Sequence, residues 1–340
     1  MTGVLAKAHR DGGMGLEGRM KPRVTWGILL AAGGLMAACA QVDLAPHLRP
    51  LPKESLMLLG KKQMKTNAPI FVRIFKEESE LELWKQRDDG RFYHFKTYPI
   101  CNWSGEVGPK IVQGDKQAPE GFYTVARQQM NPNSQFHLAF NIGYPNAFDR
   151  AHKRTGDALM VHGKCKSAGC YAMTDALVEE IYALAREAFI GGQDGFHVHA
   201  FPFRMTEANL ARYQSHSAAK FWATLKEGYD YFELTRQVPT VAVCERRYVV
   251  NPKWKSGIVP AKLDAESSCP AHERGTPEPF KPANGQVAAS EIVVVPGTKM
   301  RSFASSGIAA QPATGAAGTS SLFSFSTGPT SQRSIGFAAQ

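Results

Sequence analysis

Two residues of this 340-residue chain have the types and spacing that acyl transfer to sulfur needs, His162 and Cys170. They stand in the stretch Met160-Val161-His162-Gly163-Lys164-Cys165-Lys166-Ser167-Ala168-Gly169-Cys170-Tyr171. A histidine takes a thiol proton and returns it to a leaving amine. Gly163 and Gly169 allow a substrate carbonyl close to the backbone, or a positive φ. Ser167 is placed to hydrogen-bond within the turn. The N–H groups of Gly169, Cys170 and Tyr171 are candidate oxyanion donors. A helix starting near Thr174 would favour the thiolate by about 0.3–1 kcal/mol if the sulfur lies within its first turn. A lone cysteine near a histidine is more often structural than catalytic, so the surrounding elements must decide.

Those elements read as short strands first and helices later. Ile70–Phe75 and Leu81–Trp84 form a hairpin across 76–80, and Arg91–Lys96 follows the turn signal Asp88-Asp89-Gly90. Further strands are expected at Gly121–Arg127, Gln135–Asn141, Ala158–His162, Gly195–Phe201, Val238–Cys244 and Tyr248–Val250. Short strands separated by turns indicate antiparallel pairing. Leu177, Ile181, Leu184 and Ala188 recur at helical spacing, with Thr174 or Asp175 as cap and Gly191-Gly192 as stop. A second helical region runs from Thr206 to about Glu227, with Gly228 as its stop. A short amphipathic helix is expected within 41–67, around Leu56, Leu58 and Leu59. Residues 297–340 are mostly Ser, Gly, Ala and Thr and read as a disordered tail.

The compartment follows from the N-terminus. Arg19, Lys21 and Arg23 precede an uncharged apolar run from Val24 to Ala40, the pattern of an export signal. Met36-Ala37-Ala38-Cys39 resembles a lipobox, which would lipidate Cys39. Ala38-Cys39-Ala40 also fits ordinary cleavage before Gln41. The lipobox is preferred because cysteine is otherwise rare in signal peptides. Met20 reads as an alternative start. In an oxidising compartment Cys244 and Cys269 can form a disulfide. Cys101 and Cys165 can pair or stay buried and inert, leaving Cys170 as the free thiol. The net charge of +10 is scattered, without a run or nucleic-acid motif, and suits an anionic envelope polymer. His197 and His199 share a strand face, but no recognised zinc spacing includes them, and no cofactor motif is present.

The His162-Gly163 pair followed by Ser167-x-Gly169-Cys170 resembles the motif of the L,D-transpeptidase (YkuD-type) catalytic domain. Gly114-Asp115-Lys116-Gln117-Ala118-Pro119-Glu120-Gly121-Phe122-Tyr123 resembles a second element of that family. With Trp103-Ser104-Gly105 and Gly108-Pro109-Lys110, the wording is most similar to the YafK-like murein branch. The resemblance covers residues 68–235, after a 1–40 signal and a 41–67 linker, and leaves 236–296 as a C-terminal extension. It implies an α+β, mainly antiparallel sandwich-like domain with flanking helices. It also implies Cys170 as nucleophile and His162 as general acid/base, acting on peptidoglycan peptide stems at a meso-diaminopimelate bond. A peptidoglycan-attached lipoprotein is a further implied partner, the membrane is met only through a lipid anchor or signal, and nucleic acid is not a partner. The chain departs from the broader family in a short His-to-Cys spacing, in Ala168 where histidine or lysine is common, and in Ala172 where an arginine usually stands. Candidate substrate contacts are Tyr171, Arg204 and Tyr144, with Asn146 and Asp149 in the same loop as Tyr144. A surface arginine and an ordinary polar loop are the plain alternatives. A non-catalytic peptidoglycan-binding lipoprotein is the competing function.

Overall fold

A computed structural model describes residues 44–257 and 263–281. The export signal with Cys39 and Met20, and the 297–340 tail, lie outside the described residues. In chain order the elements begin with α1 (Lys53–Lys61), β1 (Ile70–Phe75), β2 (Glu80–Gln86), β3 (Phe92–Pro99) and β4 (Asn102–Trp103). There follow β5 (Gly121–Ala126), β6 (Met130–Asn131), β7 (Ala139–Asn141), α2 (Ala147–Ala151), β8 (Met160–His162) and β9 (Tyr171–Ala172). The last are α3 (Asp175–Ile190), β10 (Gly195–Phe201), α4 (Glu207–Arg212), α5 (Ala219–Thr235), β11 (Val241–Cys244), β12 (Arg247–Val250), β13 (Pro252–Trp254) and β14 (His272–Arg274).

Two five-stranded sheets organise the α+β fold, in the orders β3-β2-β1-β10-β5 and β4-β9-β8-β7-β6. Strand β1 is apolar at nearly every position because both its faces are covered. Ile70, Val72 and Ile74 join a core with Phe140 and Val161 of the second sheet and Ile181 and Leu184 of α3. Phe71 faces the other way, against Phe232 of α5 at 4.8 Å between ring centroids. Arg73 is the polar exception on that face. It is buried, paired with Glu82 at 2.7 Å and Glu233 at 2.6 Å. Helix α1 is fixed to α3 by Ser55 Oγ donating to Glu180, which also receives Lys96 and Tyr98.

The hairpin β1–β2, strand β10 and helix α3 match the sequence reading, and Thr174 caps α3 by accepting from Leu177 N–H. The pairing is mainly antiparallel, as expected, with two parallel exceptions, β1 with β10 and β8 with β9. The first pair joins strands far apart in sequence, which turn signals between neighbours do not report. Gly228 does not stop a helix. The region breaks after Arg212 instead, and α5 runs through Gly228 to Thr235. A Cβ there would lie 2.6 Å from Cζ of Phe122, so the glycine lets β5 approach the helix. The strand expected from Gln135 begins only at Ala139, because Asn131 and Ser134 side chains fold the preceding residues into turns. The extension from 236 packs through Tyr248, whose ring stacks on Phe148 at 4.3 Å.

The loop between β4 and β5 is anchored by Glu120. This fully buried carboxylate accepts from Lys76 Nζ at 3.0 Å, Gly108 N at 2.6 Å and Trp222 Nε1 at 2.7 Å. Removing one partner leaves a buried charge uncompensated. Glu120→Ala should cost about 3–5 kcal/mol in urea unfolding, and a loss below about 1 kcal/mol would show that this pair does not hold the loop.

Candidate active site

His162 ends β8 and Cys170 immediately precedes β9. The parallel register sets Val161 opposite Tyr171 and His162 opposite Ala172. Val161 and Tyr171 point into the core, so alternation turns His162 to the other face of β8, while Cys170, just before β9, packs in part against that core. His162 is buried, and its Nδ1 lies 2.7 Å from Gly163 O. A carbonyl only accepts, so Nδ1 carries the proton and Nε2 keeps its lone pair, the tautomer a general base requires. Burial lowers the imidazole pKa, and the bond to Gly163 O opposes that in part. The Phe136 ring covers the imidazole at 4.6 Å.

Cys170 is the free cysteine among the described residues, since Cys101 pairs with Cys165 and Cys244 with Cys269. Its sulfur accepts from Met160 N at 3.4 Å and lies 3.8 Å from Ala158 O. Burial raises the thiol pKa, against smaller lowering by the Met160 N–H and by Lys110. The expected thiolate at a helix start is therefore corrected. Strand β9 intervenes in sequence between Cys170 and α3.

The turn between the strands is held at several points. Cys165 N donates to Met173 O at 3.1 Å, and its disulfide fastens it beside β4. Ser167 Oγ donates to Cys170 O at 2.7 Å and lies 3.1 Å from Ser104 Oγ. Gly169 has φ +125°, a conformation that side chains strain, and its N–H reaches Ser167 Oγ only at 3.4 Å. Gly163 is required for space. A Cβ would lie 2.5 Å from Asp175 Oδ1 and 2.9 Å from Phe136 O, so protein rather than substrate uses the room.

The hydroxyls or guanidinium of the three candidate substrate contacts are engaged within the protein. Tyr171 is fully buried and donates its hydroxyl to Pro119 O, joining the two sequence motifs within the core. Tyr144 is buried, with its hydroxyl on Thr155 O at 3.3 Å. Arg204 is committed to Glu80 at 2.6 Å and Glu82 at 2.8 Å. Asn146 caps α2, and Asp149 is buried against Arg154 at 2.8 Å. His197 and His199 belong to the other sheet, and among the described residues no group of three or more His, Cys, Asp or Glu could hold a metal. The sequence reading missed Phe136, a lone aromatic in a polar run, and gave Lys110 no role though its motif was noted.

Two sheets carrying a His-Gly strand beside a Ser-x-Gly-Cys strand form the frame expected of the L,D-transpeptidase class. The chain is 44% identical over 209 residues to "Putative L,D-transpeptidase YafK" of Escherichia coli K12, across 62% of this chain and 85% of that one, and equally to its counterpart in strain O157:H7. It therefore belongs to the L,D-transpeptidase family, in the YafK-like branch. No family model matches the chain. Among solved structures it is similar to the helical cell shape determining protein Pgp2 of Campylobacter jejuni, at 17% identity and TM-score 0.32 over 55% of this chain and 79% of that one. Bd1075 of Bdellovibrio bacteriovorus gives 17% identity and TM-score 0.30, over 53% and 79%.

A raised thiol beside a lowered imidazole leaves both groups neutral at rest. Iodoacetamide labelling of Cys170 should be slow at pH 7 and rise only above the ordinary thiol range; a plateau already at neutral pH would reveal a resting thiolate–imidazolium pair. Phe136→Ala removes part of the cover that lowers the imidazole pKa. The acid limb of activity should then move to higher pH, with about a tenfold loss of kcat/KM from poorer positioning.

Proposed function

We propose that this chain is an exported cysteine acyltransferase or peptidase that acts on peptidoglycan peptide stems through a thioester on Cys170. The observation that carries the reading is the His162 Nδ1–Gly163 O bond, which leaves an unprotonated Nε2 on the strand paired with the one that Cys170 precedes. Family membership supports the substrate class. The exposed Lys116, Lys164 and Lys166 near the thiol suit carboxylate-bearing stems.

In this mechanism the Cys170 sulfur attacks the L-centre carbonyl of meso-diaminopimelate, whose bond to the following amine is to break, as His162 Nε2 takes the thiol proton. The Cys170 N–H, with Gly169 N–H beside it, holds the tetrahedral oxyanion. The protonated His162 gives its proton to the departing amine, and the C–N bond breaks to leave a thioester. An incoming amine or water then attacks, loses its proton to His162, and releases the thiol. An amine acceptor gives a cross-link or a protein attachment. Water gives a shortened stem or frees an attached lipoprotein. The chemistry uses only side chains and backbone, without a cofactor.

The work is assigned to the periplasm or cell envelope, reached through the export signal and with Cys39 as a lipid anchor. Among the described residues no helix is long and apolar enough to cross a membrane. The raised thiol and the uncharged Ala172 favour a second reading, a non-catalytic peptidoglycan-binding lipoprotein.

Incubation with purified muropeptides, and with sacculi carrying attached lipoprotein, separates these readings by mass spectrometry. New cross-links mean transfer, and shortened stems or freed lipoprotein mean hydrolysis. Cys170→Ala should abolish either; full turnover by that variant would refute the thioester. Binding without turnover by the unmodified chain would leave the scaffold.

A further inference from the structure

We propose that Lys110 is a positioning residue for the acyl-transfer step, its ammonium supplying the positive charge that the Cys170 sulfur meets as it becomes a thiolate. This rests on Cys170 being the nucleophile. Lys110 lies in the loop between β4 and β5 and is buried. Its Nζ donates to Val112 O at 2.9 Å and to Asp115 Oδ1. Asp115 is itself fixed by the N–H groups of Ile111 at 2.9 Å, Val112 at 3.0 Å and Gln117 at 3.0 Å. The ammonium is thus held in one place rather than swept through solvent, as most lysines are.

Two segments that border the nucleophile border this lysine as well. A Cβ on Gly169 would stand 3.7 Å from Gln117 O and 4.0 Å from the carbonyl carbon of Lys116, so the Lys110–Gln117 loop lies against the residue before Cys170. A Cβ on Gly156 would stand 2.7 Å from Lys110 Cε. Two residues beyond Gly156, Ala158 O faces the sulfur, and Met160 N donates to it. Lys110 is wedged between these flanks.

The ionisable groups that act on the sulfur are Lys110 from this loop and Tyr171 from β9, and Asp115 reaches it only through its bond to Lys110. Ala172, next along β9, has no charge to offer. The lysine draws the thiol toward ionisation while burial opposes it. Asp115 tempers the lysine's field. A fully stabilised thiolate would be a weaker nucleophile, because nucleophilicity falls with pKa.

The test follows iodoacetamide labelling of the Cys170 peptide against pH by mass spectrometry, with thermal melting as a control for folding. Lys110→Met should move the midpoint up and slow labelling at pH 8 by about threefold, while Lys110→Arg keeps the native midpoint. Asp115→Asn should move the midpoint down, since it removes the charge that offsets the lysine. Loop loosening alone would move both neutral variants the same way. Opposite shifts support the proposal, whereas a native profile for Lys110→Met, or shifts of one sign, would overturn it. If Lys110→Met does not fold, the direction of the Asp115→Asn shift decides alone. Labelling reports on the thiol whether or not the enzyme turns over. Failure of the nucleophile assignment appears separately, as turnover that survives Cys170→Ala.

Discussion

Glu120 and Lys76 are both fully buried, and their pairing joins the end of β1, the loop ahead of β5 and helix α5 at one point. Taking two charges out of water is costly, and such pairs specify arrangement more than they add stability. This pair is well satisfied. Lys76 also donates to Gly108 O at 2.8 Å and Ala118 O at 2.9 Å, while the carboxylate takes the Gly108 and Trp222 donors. Pro119, between Ala118 and Glu120, offers its carbonyl to the Tyr171 hydroxyl. The strand after Cys170 is therefore tied, through Tyr171 and Pro119, to the residue next to the buried carboxylate. The Pro-Glu-Gly sequence gains a physical meaning here, as the knot between the two sheets.

The same core decides the charge state of the reacting pair. Burial pushes the thiol up and the imidazole down, and both shifts disfavour a preformed ion pair. On the proposed mechanism the proton moves only when a carbonyl is present to receive the sulfur. The protein's contribution is then preorganisation. The imidazole is fixed by a backbone carbonyl, and the turn is held by a disulfide, a serine hydroxyl and a glycine at positive φ. These constraints are all supplied by the chain itself, so on the proposed mechanism little reorganisation is left for the reacting complex.

Much of this was legible because it is local. Apolar alternation, the Thr174 cap and the spacing of His162 and Cys170 are properties of short windows, and β1, β2, β10 and α3 follow them. What the windows concealed is long-range. The parallel partner of β1 lies more than a hundred residues away. Gly228 reads as a stop until Phe122 is seen to need its space. Tyr171, Tyr144 and Arg204 have side chains suited to a peptide ligand. Their hydrogen-bonding groups are instead consumed by Pro119, by Thr155, and by Glu80 and Glu82. Residue type cannot distinguish a group kept for a ligand from one spent on the fold. The expected thiolate failed for a related reason, since the burial that raises the thiol depends on long-range packing.

On the proposed mechanism, where the acyl group goes is a contest between acceptors for one thioester. Water is always present at high concentration, so an amine prevails only when a bound acceptor has a large effective molarity at the sulfur. Binding of that kind needs surface beside the thiol. Ile111 and Val112 are about half exposed on the Lys110 loop, and Phe136 is 42% exposed over His162. They are apolar side chains left open to solvent, Phe136 against the His162 ring and the other two on the loop of Lys110. A stem lying on these side chains would shield the thioester and present its amine in place of water. An empty rim would admit water to the same carbonyl. On the proposed mechanism the chemistry at Cys170 is common to both outcomes, and occupancy of the rim selects between them.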